Sequence, residues 1–322
     1  MTVARFEPKT LTRRRCASIA RLALRAPAAC NRQALLIGTS GHRCRPFSHL
    51  APPALGLQGL HAALTAPELG GFEAPSPLCD QPAFHLNMEL ESFFRDREPD
   101  TLLLLYVSGY AIVDECGGLA LITHGTDRGR WRASVVDFGF LRDVMDQCAS
   151  EQQVLILDCI FGSLADAAPA IGASLDLEAA LGGPRRAVLA ASNGVRFALR
   201  DDGVLGDTRA TPLVEHIVHG LRTGEADLDA DGLVSLDDLA GYARGRAGPD
   251  MALEPSSSRE LGPVVIARRA PSARSEPAPA PLPANQRGAA AAAASTARPP
   301  RRSWASHAAS SVASWLAQHV GL

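Results

Sequence analysis

Leu102-Leu-Leu-Leu-Tyr-Val-Ser-Gly-Tyr110 and Val154-Leu-Ile-Leu-Asp-Cys-Ile-Phe-Gly-Ser163 are the two stretches that decide the fold. Each begins with a short run of large apolar residues and continues into small residues, which predicts a buried β-strand followed by a loop. Apolar runs at 34–38, 119–122 and 187–191 predict three more strands. A strand that is covered on both faces has a continuous apolar run, as these do, so the sequence favours a parallel sheet.

Helical patterns fall between these strands, at 55–64, 89–96, 138–145, 174–181 and 212–221. Alternating strands and helices predict an α/β fold, a mainly parallel sheet with helices on both faces. Ligand sites in such sheets form at the carboxyl ends of the strands. We therefore expect the candidate site where the two quoted stretches leave their apolar runs.

The composition narrows the function classes. The chain has 322 residues, 46% of them hydrophobic, and a net charge of −2, which gives no basic footprint for nucleic acid. Its seven cysteines include no C-x-x-C pair, which argues against a zinc site or a disulfide framework and suits a reducing cytosol. The longest apolar runs are far too short to cross a bilayer. We expect a cytoplasmic protein whose partners are neither nucleic acid nor membrane.

The chain divides by composition into four parts. Residues 1–32 are basic and predict a disordered extension, and residues 33–268 hold all the predicted strands. Residues 269–302 are rich in proline and alanine, which is typical of a linker. Residues 303–322 have tryptophan, valine and leucine at helical spacing and predict an amphipathic tail helix. That helix either docks on the domain or binds another protein.

Several motifs along residues 33–268 resemble, in order, those of bacterial caspase-like cysteine peptidases, in the branch that accompanies effector-associated modules of conflict systems. In addition to the two quoted stretches, they are Ala34-Leu-Leu-Ile-Gly-Thr-Ser40, Pro67-Glu-Leu-Gly-Gly-Phe72, Phe94-Arg-Asp-Arg97, Val188-Leu-Ala-Ala-Ser192 and Gly220-Leu-Arg-Thr-Gly-Glu-Ala-Asp227. The resemblance implies a caspase-like sandwich fold and a cysteine endopeptidase ancestry.

The two catalytic positions of that family are altered in this chain. The resemblance implies a general-base histidine where Tyr110 stands and a nucleophilic cysteine where Ile160 stands. A phenol titrates near ~10 and is a poor base at neutral pH, and a hydrocarbon side chain has no nucleophilic atom. The resemblance therefore predicts a pseudopeptidase that acts as a binding or regulatory subunit for a protein or peptide. Asp158, Tyr110 and Ile160 would line its peptide-holding cleft.

A displaced catalytic pair is the alternative. Cys159 with His124 would make the chain a calcium-dependent cysteine endopeptidase. Successive strand residues point to opposite faces, so Cys159 points away from the cleft if Ile160 faces it. This alternation counts against the pair.

A twelve-residue stretch, Asp227-Leu-Asp-Ala-Asp-Gly-Leu-Val-Ser-Leu-Asp-Asp238, fits the calcium loop of an EF-hand. It would lie in an EF-hand-like helix-loop-helix segment over 212–244. Position 12 is an aspartate in place of the longer glutamate, and no second hand is visible in the sequence, so we expect weak calcium binding; the alternative is a loop that keeps its turn geometry without the metal. The resemblance to relatives with a similar segment implies a structural role for the site. A calcium-responsive interaction protein, built on 227–238 and 303–322, is the third hypothesis. The expected ligands are Asp227, Asp229, Asp231, the carbonyl of Leu233, Ser235 and Asp238.

Overall fold

The structure is a computed structural model that describes residues 31–44, 47, 56–164, 170–192, 194–200, 203–209, 212–247, 254–257 and 261–270. The predicted basic extension (apart from residues 31 and 32), most of the linker and the predicted tail helix lie outside the described residues.

A ten-stranded mixed sheet forms the centre of the domain, in the order β11-β7-β6-β3-β1-β2. The strands β2, β1, β3, β6 and β7 are parallel, and β11 runs antiparallel at the edge. Beyond this path, β4 and β5 extend from β3, and β8 and β9 extend from β6. The strands are β1 (Arg32–Gly38), β2 (Leu78–Cys79), β3 (Leu102–Val113), β4 (Leu119–Ile122), β5 (Val135–Asp137), β6 (Gln152–Leu164), β7 (Arg186–Ala190), β8 (Val195–Arg200), β9 (Gly203–Gly206) and β11 (Glu254–Ser257).

Helices cover both faces of this sheet. Three of them, α1, α6 and α7, pack with the even-numbered residues of β3 and β6, and α2, α4 and α5 pack with the odd-numbered ones. The predicted α/β class, a mainly parallel sheet with helices on both faces, is confirmed. The helices are α1 (Leu57–Thr65), α2 (Ala83–Phe94), α3 (Trp131–Ser134), α4 (Phe138–Gln147), α5 (Leu177–Leu181), α6 (Leu213–Thr223) and α7 (Leu236–Ala247), with a 3-10 turn at Arg128–Arg130.

The two central strands are longer than the sequence suggested. Residues 102–113 of β3 pair with residues 152–163 of β6 in one unbroken parallel ladder. The expected loops after 107 and 157 are therefore wrong, because strand continues through both. Apolar residues such as Ile112 and Phe161 are fully buried there and suit a covered sheet better than a solvated loop.

A second, two-stranded sheet contains the last strand of the described residues. It pairs β10 (Leu233–Ser235) with β12 (Val265–Arg268) in antiparallel fashion. The Arg32 guanidinium donates to the carbonyls of Val265 and Ile266 at 2.6 and 2.8 Å, and lies 4.3 Å from the centre of the Phe72 ring. The first residue of β1 therefore binds the last strand, and the domain includes Arg32, which the sequence had placed in the extension.

Among the helices of the described residues, none combines the length and the apolar character that crossing a bilayer requires.

Candidate functional site

Tyr110 and Ile160, the positions altered from the peptidase pattern, are direct partners across the β3–β6 ladder. Their side chains belong to one apolar cluster, and they are 0% and 1% exposed. Because both residues lie within strands, the register fixes their neighbours and no loop presents either of them to solvent. The two side chains are adjacent, and neither is accessible to solvent.

Phe197 of β8 fills the space above them. Its ring meets the Tyr110 ring edge-on, with 5.6 Å between centroids and 89° between planes. Gly162 makes this packing possible, since a Cβ atom at that position would lie 2.3 Å from the Phe197 ring. Gly162 is thus required by the packing of an aromatic ring on the strand.

The segment after β9 closes the cluster further. The Tyr110 hydroxyl donates a hydrogen bond to the Thr208 carbonyl at 2.9 Å. Asp207 holds this segment to β8, because its carboxylate accepts from the Arg196 guanidinium at 2.7 Å and its N–H donates to the Arg196 carbonyl at 3.0 Å. The β8–β9 hairpin thereby places its return segment against the phenol.

Burial raises the pKa of Tyr110 to about 12, although its hydrogen bond to Thr208 and the Arg196 charge act in the opposite direction. The phenol therefore stays protonated at neutral pH and acts as a donor. An imidazole does pack beside it, since the His42 ring centroid lies 5.9 Å from that of Tyr110. Burial lowers the pKa of His42. The residue that pairs with Tyr110 across the ladder, Ile160, has a hydrocarbon side chain and offers no nucleophilic atom.

Asp158 lies on the same face as Tyr110 and Ile160, two residues before Ile160 in β6. Its carboxylate accepts a hydrogen bond from the Tyr106 hydroxyl at 2.7 Å, and the residue is 5% exposed. All three predicted cleft residues, Asp158, Tyr110 and Ile160, are buried, so within the described residues they do not line an open cleft. Their role in holding a peptide stays a prediction.

Cys159 and His124, the alternative catalytic pair, contact different segments of the domain. Cys159 is fully buried in the cluster below the sheet, and its Sγ lies 3.7 Å from the Val107 carbonyl. Burial, with a smaller effect of Asp158, raises the pKa of this thiol well above its usual range. His124 follows β4, and its Nδ1 lies 2.8 Å from the Gly41 carbonyl. The structure gives Cys159 neither exposure nor an activating base.

The predicted calcium loop brings three of its expected ligands together. One carboxylate oxygen from each of Asp227, Asp229 and Asp231 lies within 4.8 Å of the others. Calcium binds oxygens at about 2.3–2.6 Å, so ligands on opposite sides of the ion are ~5 Å apart. The Asp227 carboxylate also accepts the N–H groups of Asp231 and Gly232, both at 3.1 Å, which folds the loop around it. The donor set fits a hard cation such as calcium.

Asp238 is not part of that carboxylate cluster and pairs with Ser235. The Ser235 hydroxyl accepts from the Asp238 N–H at 3.1 Å, and the Asp238 carboxylate accepts from the Ser235 N–H at 2.9 Å. This is a reciprocal capping box at the start of α7. The short aspartate side chain is held at the helix terminus, so the expected six-ligand set is only partly assembled. Leu233, whose carbonyl was the remaining expected ligand, is the first residue of β10.

Two features of this loop had no signal in the local sequence. Its strand β10 pairs with β12, thirty residues downstream, where paired EF-hands would use a second loop. Arg269, which directly follows β12, reaches the loop with its guanidinium 3.3 Å from the Asp227 Oδ2. The sequence had assigned Arg269 to the linker. Contacts of this kind depend on strand pairing between distant segments, which spacing alone does not predict.

Comparison with known proteins gives little beyond this geometry. The solved structure titled "structure of pro-sf-caspase-1" is similar to this chain with a TM-score of 0.43 and 10% sequence identity, over 68% of this chain and 81% of that one. No protein-family model and no curated protein matches the chain.

The buried phenols predict a delayed tyrosine titration. The chain has three tyrosines, and burial is the largest cause that raises the pKa of each, Tyr106, Tyr110 and Tyr242. Because the folded pKa values exceed the unfolded ones, the protonated phenols stabilise the fold fully below pH 10, and this contribution is lost as pH rises toward 12. We expect tyrosinate absorbance of the native protein to rise at higher pH than that of the chain in denaturant. Coincident curves would contradict the burial of Tyr110.

The location of Cys159 predicts that it resists alkylation. Cys116 is exposed, and Cys148 and Cys159 are buried. Thiolate fraction and access control the reaction with iodoacetamide. We expect peptide mass spectrometry to find Cys116 modified in the native protein, and Cys148 and Cys159 modified only after unfolding. Native labelling of Cys159 at the rate of Cys116 would show that the core beneath the sheet opens to solvent.

Proposed function

We propose that this chain is an inactive caspase-like protein that acts as a binding or regulatory subunit. The observation that carries the proposal is the pairing of Tyr110 with Ile160 in a closed ladder, at the two positions where the resemblance implies a base and a nucleophile. Neither side chain can perform its step, and the surrounding packing has adapted to that loss. Phe197 packs directly over Gly162, and the Thr208 carbonyl accepts a hydrogen bond from the Tyr110 hydroxyl, so both positions are enclosed by their neighbours.

The adaptation extends beyond the two substitutions. If only the catalytic side chains had changed, a cleft would remain and could still hold peptide. Here the strands themselves continue through the catalytic positions, and Asp158 is buried and hydrogen-bonded to Tyr106, so a peptide would reach it only if the packing around it opened. The proposed partner, a protein or peptide such as an effector-associated module of a bacterial conflict or signalling system, therefore binds a different surface. That partner class comes from the sequence resemblance alone.

The endopeptidase alternative has less support. It needs a thiolate at Cys159, but the thiol is enclosed and its pKa is raised by burial. It also needs an imidazole beside the sulfur, but His124 hydrogen-bonds to the loop after β1.

A peptidase assay tests the proposal. Purified full-length protein, incubated with a mixture of peptide substrates with and without calcium, is expected to release no fragments above the background of a buffer blank. Cys159→Ala and Cys116→Ala serve as matched variants, one at the buried thiol and one at the exposed thiol. Cleavage that Cys159→Ala abolishes and Cys116→Ala preserves would overturn the proposal and establish the displaced pair.

A second role, calcium binding in the loop 227–238, is favoured by the convergence of three carboxylates on one point. The residues that would hold the ion are Asp227, Asp229 and Asp231, and the ion would supply a rigid link between α6 and α7. With Asp238 engaged in the capping box, fewer protein ligands reach the ion than in a complete EF-hand. The site is therefore proposed as a weak, structural calcium site. The second candidate function, in which calcium binding changes the interaction with a partner, is a calcium-responsive interaction protein.

Calorimetry with calcium tests this second role. Asp229→Asn removes one of the clustered charges at an exposed position, and Asp237→Asn makes the same change at an exposed position outside the cluster. Since the charge of the ligands sets affinity, we expect Asp229→Asn to weaken binding by about tenfold or more and Asp237→Asn to change it by less than about twofold. No heat of binding in the unaltered protein would remove the calcium role, and equal effects of the two variants would place the ion elsewhere.

A further inference from the structure

Arg269 carries the further inference, because it places a fixed positive charge on the acidic loop. Its guanidinium lies 3.3 Å from the Asp227 Oδ2, and its own backbone N–H donates to the Gly232 carbonyl at 2.9 Å. The Asp227 side chain is 0% exposed, and the Arg269 side chain is 48% exposed. One end of this ion pair is therefore withdrawn from water, which makes it stronger than a pair at the open surface.

The backbone fixes where the arginine reaches. Strand β12 pairs with β10 inside the loop, and Arg269 is the next residue after that strand. Its side chain crosses Gly224, where α6 ends with a φ of +75°, and a Cβ atom at Gly224 would lie 3.0 Å from the Arg269 Cγ. A glycine at the end of α6 thus leaves room for the arginine to pass toward Asp227.

Three carboxylates within 4.8 Å of one another repel each other when they are ionised. A nearby cation relieves this repulsion, and Arg269 supplies one without a metal. A divalent ion that binds the same cluster meets that positive charge a few ångströms away, so the arginine opposes its binding. The same contact that holds the loop together in the absence of calcium thus lowers the affinity for calcium.

We propose that Arg269 is a built-in counter-ion of the loop 227–238, which stabilises it without metal and sets a low affinity for divalent cations. This inference rests on the proposed calcium site and adds the residue that regulates it. Arg269 is not a metal ligand in this proposal, because it acts on the cluster only through its charge and its contact with Asp227.

The test compares calcium calorimetry of the full chain with that of Arg269→Gln and Arg268→Gln. Arg268 is the exposed neighbour, so its variant makes the same change in net charge without removing the Asp227 contact. From Coulomb repulsion over a few ångströms in a water-like dielectric, we expect Arg269→Gln to bind calcium on the order of tenfold more tightly. Arg268→Gln is expected to stay within about twofold of the unaltered protein, since exposed charges are screened by salt.

Thermal unfolding in EDTA gives a second readout that needs no bound metal. Arg269→Gln is expected to unfold at a lower temperature than Arg268→Gln in EDTA, and to recover the difference when calcium is added. Tighter calcium binding by Arg269→Gln than by the unaltered protein, together with its lower stability in EDTA, supports the counter-ion role.

The outcomes separate this inference from the function on which it rests. Equal affinities of the unaltered protein and Arg269→Gln would overturn the counter-ion role and leave the calcium site intact. Absence of calcium binding in all three proteins would overturn both. Unchanged stability of Arg269→Gln in EDTA would show that the guanidinium does not stabilise the loop, and would also overturn the inference.

Discussion

The unbroken pairing of β3 with β6 is the constraint on which the rest of the domain depends. Every residue of β3 is buried, and so is every residue of β6 after Gln152. Side chains alternate strictly along such a ladder, so one register sorts all of them between two faces. It places Tyr110 beside Ile160 on one face, and it sends Cys159 to the other. A shift of the register by one residue would exchange those two faces, and with them the whole apolar core.

One polar contact lies within this apolar pairing and separates two clusters on the same face. The Tyr106 hydroxyl meets the Asp158 carboxylate between the main helix-covered core and the smaller cluster around Tyr110 and Phe197. A buried carboxylate is costly unless it is hydrogen-bonded, so this contact helps to fix which residues face each other. This part of the sheet belongs to the interior of the domain.

The sequence predicted the inner halves of these strands well, because their continuous apolar runs have few other interpretations. It failed at their carboxyl ends. The small residues Ser108, Gly109 and Gly162 suggested loops, and the family resemblance reinforced that interpretation. The contrary signal was the apolar sequence from Tyr110 to Val113, which continues the strand pattern beyond the glycine. The role of Gly162 could not be predicted, because it depends on a phenylalanine that arrives from β8.

The loop 227–238 shows how far local sequence reaches. Its three aspartates lie close together, because their positions depend on residues within a few places in the chain, and their role as metal ligands stays a prediction. The capping box had a local signal as well, a serine three residues before an aspartate at the start of a helix, which the ligand assignment overlooked. The arrival of Arg269 had none, because it requires β12 to cross the domain and pair with β10.

Arg32 gives the domain a property that neither face of the sheet explains. By binding the carbonyls of Val265 and Ile266, it joins the first and the last strand of the described residues. A domain whose ends meet can be inserted into a loop of another protein while its own fold remains intact, because the host chain enters and leaves at neighbouring points. A larger protein could therefore contain this domain as an insertion that folds independently.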